Sequence, residues 1–128
     1  MTARRVLIVD DEDAIREIAQ LSMEVVGGYR TTSASSGAEA LDRAAADPPD
    51  AILLDVMMPG LDGPATVARL QADPRTRDID VVLLTAKVRP SDLARVGMLP
   101  RVAGVIAKPF DPMTLPGQVA DILGWDRA

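Results

Sequence analysis

The chain has 128 residues, 14 Lys+Arg against 19 Asp+Glu for a net charge of −5, and 48% apolar residues, which suits one domain with its own core. It contains no Cys and no His, which excludes disulfides, thiolate nucleophiles, imidazole bases, phosphohistidine and His- or Cys-ligated metals. The acidic balance, with only Tyr29, Phe110 and Trp125 as aromatics, argues against direct binding of nucleic acid.

The first apolar run, residues 6–9, is short and continuous, as a strand covered on both faces requires. Arg4 and Arg5 before it resemble a signal peptide only until the acids at 10–13 arrive. A first helix follows, with Ile15, Ile18, Ala19, Val25 and Val26 as its apolar stripe and Asp11 or Asp13 as its cap. Residues 29–32 read as a more polar, edge strand. Ser36 and Glu39 have capping-box spacing before Leu41, Ala44 and Ala45. Residues 52–54 form a second continuous apolar run. Asp62 and Pro64 open a helix carrying Val67, Ala68 and Leu70. Residues 81–84 are a further buried strand, 91–96 a short and weakly patterned helix, and 104–107 a weaker strand. Asp111-Pro112 opens the last helix, with Val119, Ile122 and Leu123 on its inner face; Pro116 either kinks that helix or delays its start.

Prolines 48, 49, 59, 74, 90, 100 and 109 fall between these elements, and there is no linker or repeat. Strand and helix alternate about five times. That pattern predicts a parallel sheet with right-handed crossovers and helices on both faces, a doubly wound α/β domain over residues 1–128. No apolar run approaches bilayer length, so the expectation is a cytoplasmic protein without membrane insertion.

In such a sheet, ligands bind beyond the carboxyl ends of the strands. Asp10 and Asp11, Asp55, Thr85 and Lys108 all occupy those ends. Each alone has an ordinary explanation: a cap, a strand terminus, a solvated lysine. Asp55 resists it, because an acid closing a buried run is costly unless paired or coordinated. Together they are three acids, a hydroxyl and an ammonium on one edge. Crowded carboxylates need a cation among them, and oxygen-only ligands favour a hard ion: Mg²⁺ first, with Mn²⁺ or Ca²⁺ as alternatives. A phosphoryl group in transfer needs a nucleophile, a metal and donors for its oxygens. The nucleophile here is a carboxylate, which points to an aspartyl phosphate.

At this point the sequence resembles the receiver domain of bacterial two-component response regulators, the CheY-like family. The resemblance rests on Val6-Leu7-Ile8-Val9-Asp10-Asp11-Glu12, on Leu53-Leu54-Asp55-Val56-Met57-Met58-Pro59-Gly60-Leu61-Asp62-Gly63, on Leu83-Leu84-Thr85-Ala86, and on Lys108-Pro109-Phe110. It implies a flavodoxin-like five-stranded sheet in the order 2-1-3-4-5. It implies Asp55 as phosphoacceptor, Mg²⁺ held by Asp10, Asp11, Asp55 and the Met57 carbonyl, and Thr85 and Lys108 on the phosphoryl oxygens. The Lys108–Pro109 bond is implied to be cis.

The implied donor is a histidine kinase or histidine phosphotransfer protein. The implied output is a two-state change at the fourth helix, fifth strand and fifth helix that alters binding of a downstream protein. The chain then phosphorylates and dephosphorylates only itself, and is not otherwise an enzyme. Met57 and Lys87 flank the chemistry and are expected to tune the phosphoryl lifetime. Val105 replaces the aromatic that many receivers carry on the fifth strand. No output domain is expected within these residues: the chain is a stand-alone receiver, monomeric or weakly dimeric, or a receiver fragment of a larger regulator.

Three rivals fit less well. A haloacid-dehalogenase-type phosphatase needs Asp-x-Asp after the first strand, and residue 12 is Glu. A pseudo-receiver that only docks is at odds with the intact set of five polar residues. A flavin site lacks its phosphate-cradling loop.

Overall fold

A computed structural model describes residues 3–86 and 99–125. Its sheet comprises β1 (Arg5–Val9), β2 (Arg30–Ala34), β3 (Ala51–Asp55), β4 (Asp80–Thr85) and β5 (Val102–Ala107). All pairs are parallel, in the order β2-β1-β3-β4-β5. The helices are α1 (Asp13–Leu21), α2 (Gly37–Ala46), α3 (Gly63–Ala72) and α4 (Leu115–Leu123). The helix expected at 91–96 lies outside the described residues, as does Lys87.

The strands alternate sides with a period of two. Leu7, Val9, Ile52, Leu54, Val81 and Leu83 face Ala40 and Ala44 of α2 and Val67 and Leu70 of α3. Val6, Ile8, Leu53, Val82, Leu84 and Ile106 face Ala19 of α1, Met23, and Leu115 and Val119 of α4. Two apolar layers therefore cover the sheet, which is why its strands read as unbroken apolar runs. β2 lies at an edge, as its polarity requires, but spans residues 30–34 rather than 29–32.

Local sequence explains the helix starts. Ser36 caps α2 by accepting from Glu39 N at 3.1 Å, and Glu39 returns to Ser35 N at 2.6 Å, one residue before the expected capping-box partner. Asp62 caps α3, accepting from Ala65 N at 2.9 Å, with Pro64 in the first turn.

Three expectations are corrected. α1 is capped at Glu12 with no side-chain bond, and neither Asp11 nor Asp13 acts as the cap; Asp13 instead pairs with Arg16 at 2.6 Å. The α1 stripe is only partly inward: Ala19 is buried, while Ile18, Val25 and Val26 are 44%, 78% and 43% exposed. A π turn at Ser22–Val26 follows α1, and its extra residue per turn rotates Val25 and Val26 outward while Ser22 and Met23 face in. Regular helix α4 begins at Leu115, not at Asp111-Pro112, so Pro116 lies in its first turn, where its missing N–H breaks nothing within α4.

Gly63 fixes how closely α3 approaches the end of β3. A Cβ there would lie 2.8 Å from the Cα of Val56 and 3.2 Å from the carbonyl oxygen of Asp55. Both are backbone atoms of the segment that carries the central acid. Gly63→Ala is therefore expected to cost roughly 1–3 kcal/mol of stability by overpacking. Urea unfolding measures it, and an unchanged midpoint would refute the close approach.

Candidate functional site

Parallel pairing aligns the strand ends. Val9 pairs with Ala34 and Leu54, Asp55 with Leu84, and Thr85 with Ala107. The residues that follow β1 and β5 therefore meet the last residues of β3 and β4 at one edge. Backbone bonds extend the alignment: Val56 N donates to Leu84 O at 2.9 Å, and Lys108 N to Thr85 O at 2.7 Å. The peptide bond between Lys108 and Pro109 is cis, as the resemblance implied.

Asp10 and Asp55 are 1% and 3% exposed. Lys108 reaches both, with Nζ 2.8 Å from Asp10 Oδ2 and 3.3 Å from Asp55 Oδ1. One ammonium thus offsets two buried carboxylates. Further donors hold the acids: Glu12 N to Asp10 Oδ1 at 2.9 Å, and Met57 N to Asp55 Oδ1 at 3.2 Å. Asp11 is exposed, yet one oxygen from each of Asp10, Asp11 and Asp55 falls within 4.8 Å of the others. That donor set, all hard oxygen, could hold a divalent cation. The Thr85 side-chain oxygen is buried and has no hydrogen-bond partner among the described residues. A hydroxyl in that state is available to a ligand oxygen.

Electrostatics follow from this crowding. Burial raises the Asp55 carboxyl above the usual carboxylate range, and the Asp10 charge adds to it; Lys108 and the Met57 N–H offset only part. For Lys108, burial disfavours the ammonium, but the hydrogen bond and attraction to Asp10, then Asp55, outweigh it and lift the group above the lysine range. Lys108 therefore stays charged, and the acids remain one positive charge short of balance.

The site opens into a groove of about 630 Å³ whose walls include Ile15, Ile18, Met57 and Phe110, with Asp55 and Lys108 exposed to it. The Met57 side chain is 69% exposed, and its backbone stays beside Asp55. Sequence reasoning passed over Arg16. Its guanidinium donates to the Asp10 carbonyl at 2.9 Å while pairing with Asp13, bracing the acidic turn from α1. The i, i+3 spacing of Asp13 and Arg16 was the available signal.

A family model described as the response regulator receiver domain matches residues 6–120. The chain belongs to this family. The receiver is 41% identical over 120 residues to the response regulator PleD of Caulobacter vibrioides, covering 92% of this chain and 26% of that protein. It is 38% identical over 124 residues to the response regulator MprA of Mycobacterium avium, covering 97% and 50% respectively. The chain thus spans between a quarter and a half of the length of these two relatives.

Among solved structures, the chemotaxis protein CheY4 of Vibrio cholerae superposes with a TM-score of 0.85 at 29% identity, covering 95% of this receiver and 99% of that chain. The N-terminal domain of a receiver protein from Methanoculleus marisnigri gives 0.74 at 37%, covering 96% and 98%. Receiver domains are phosphoacceptors rather than conventional enzymes, bind Mg²⁺ at an acidic pocket, and interact with histidine kinases and downstream targets. Among the described residues, no helix is long and apolar enough to cross a membrane.

Proposed function

We propose that this receiver takes a phosphoryl group onto Asp55 from a histidine kinase or histidine phosphotransfer protein, and passes the signal on through altered protein binding. The observation that carries the reading is the buried Asp55 carboxylate, 3.3 Å from a Lys108 ammonium shared with Asp10, opening into a groove. An Asp55 oxygen attacks phosphorus. The bond from phosphorus to the donor nitrogen breaks, and its electron pair returns to the imidazole. Lys108 meets the charge gathering on the phosphoryl oxygens, and the buried Thr85 hydroxyl donates to one of them.

Asp10, Asp11, Asp55 and the Met57 carbonyl would hold Mg²⁺, which supplies charge neutralisation for carboxylate and phosphoryl oxygens; Mn²⁺ suits the same donors. Water later attacks the phosphorus, the bond from phosphorus to the Asp55 oxygen breaks, and inorganic phosphate leaves as the carboxylate is regenerated, with exposed Met57 at the mouth tuning access. The apolar wall of Ile15 and Ile18 beside the acid suits a donor helix face. On the output side, Val105 is half-buried on β5 in register with Leu83, so the shift there proceeds without an aromatic rotor. We infer a cytoplasmic location, one switching unit over residues 1–128, and a monomer or weak homodimer.

Acetyl phosphate with Mg²⁺ is expected to add one phosphoryl group to the wild type and none to Asp55→Asn, read by intact-protein mass spectrometry. Modification that persists in the variant assigns the nucleophile to another residue.

A further inference from the structure

Pro116 has a consequence four residues upstream. Around it the backbone already follows the helical ladder: Leu115 N donates to Asp111 O at 2.9 Å and Gln118 N to Thr114 O at 3.0 Å. The rung from residue 116 to the Pro112 carbonyl cannot form, because proline has no N–H. Ser22 supplies the donor instead. Its hydroxyl donates to Pro112 O at 2.5 Å, across 90 residues of sequence. Ser22 is 3% exposed and begins the π turn after α1. A helical serine ordinarily bonds back to its own helix; this one reaches the segment between β5 and α4. Gly27 seals the same junction, since a Cβ there would lie 2.8 Å from the Pro116 Cβ.

The segment from Lys108 to Pro116 is thus held at both ends. At the near end, Lys108 N bonds Thr85 O, and its Nζ lies between Asp10 and Asp55. At the far end, Ser22 and Gly27 grip Pro112 and Pro116. Between them Phe110 packs on the apolar layer of α1 and α4. The Lys108 side chain is itself buried and its Nζ is held between two buried carboxylates, so it has little room to compensate for a shift of the backbone that carries it.

We propose that the Ser22 hydroxyl, through the Pro112 carbonyl, is a positioning group for Lys108; this rests on the phosphoacceptor reading above. The buried serine that opens the π turn after α1 and the proline in the first turn of α4 are then one device.

The test compares binding of beryllofluoride, with Mg²⁺ present, to wild type, Ser22→Ala, Lys108→Ala and the double variant. It also follows the Lys108 ammonium NMR signal in the metal-free proteins. Ser22→Ala is expected to bind about threefold to tenfold more weakly, the scale of one hydrogen bond, and to move the Lys108 signal without metal. In the Lys108→Ala background the same substitution is expected to change nothing further. Adding Pro116→Ala to Ser22→Ala restores an N–H to the ladder and is expected to recover binding. Equal affinity with an unmoved Lys108 signal overturns the role of Ser22, and so does an equal loss in the Lys108→Ala background. A wild type that binds no beryllofluoride overturns the phosphoacceptor reading itself, and this proposal with it.

Discussion

Lys108→Ala is expected to destabilise the metal-free protein by roughly 3–5 kcal/mol, the cost of leaving a buried charge without its partner. Asp10 and Asp55 are 1% and 3% exposed, and Lys108 lies within 2.8 Å of one and 3.3 Å of the other. Without it, two carboxylates face each other and keep, among the described residues, the backbone N–H groups of Glu12 and Met57 as donors. Urea unfolding at neutral pH measures the loss, and millimolar Mg²⁺ is expected to recover part of it. A variant as stable as wild type would mean that the two acids are already neutral or solvated.

The pH dependence separates this pair from an ordinary surface bridge. The folded-state pKa of Lys108 is raised above its ordinary 10.5, chiefly against burial and through Asp10. Its contribution is therefore fully present below the unfolded lysine value and lost as pH rises through the folded one. Wild type is expected to shed this stability only in that alkaline window, and Lys108→Ala to lack the step. Asp55 runs the other way from a paired surface acid. Burial, with Asp10, raises its pKa, so ionising it in the folded state opposes folding once pH passes the unfolded carboxylate value. Lys108 is what keeps that opposition small at neutral pH.

Leu54→Ala is expected to cost roughly 2–5 kcal/mol by opening a cavity in the central strand. Leu54 is fully buried and packs in the layer with Leu7, Val9 and Val67. It also directly precedes Asp55, so relaxation into the cavity moves the acid. Thermal unfolding gives the stability, and phosphorylation by acetyl phosphate at a temperature where the variant is folded gives the effect on the site. A loss under 1 kcal/mol would mean that neighbouring side chains fill the space.

Much of this was legible beforehand, for an identifiable reason. Strands covered on both faces must be apolar throughout, so 6–9, 52–54 and 81–84 announced themselves, and parallel connectivity sends all their carboxyl ends to one edge. The acids, threonine and lysine there could then be collected by position alone. The edge strand was blurred by two residues because polar Thr31 and Thr32 carry little burial signal. α1 misled for a different reason. Its apolar residues continue past Leu21 in helical spacing, but the π turn at Ser22–Val26 slips the phase, and no spacing rule anticipates the slip.

The amino-acid order by itself determined the fold class, the strand ends that carry chemistry, and the caps at Ser36 and Asp62, because each is encoded within a few consecutive residues. Only the tertiary structure decided that Lys108 is shared by Asp10 and Asp55 while Asp11 stays exposed, that the Thr85 hydroxyl has no partner among the described residues, and that Ser22 completes the turn Pro116 leaves open. Those are contacts between segments tens of residues apart. They depend on how two packed layers bring strand ends and helix ends together, and neighbouring residues hold no record of it.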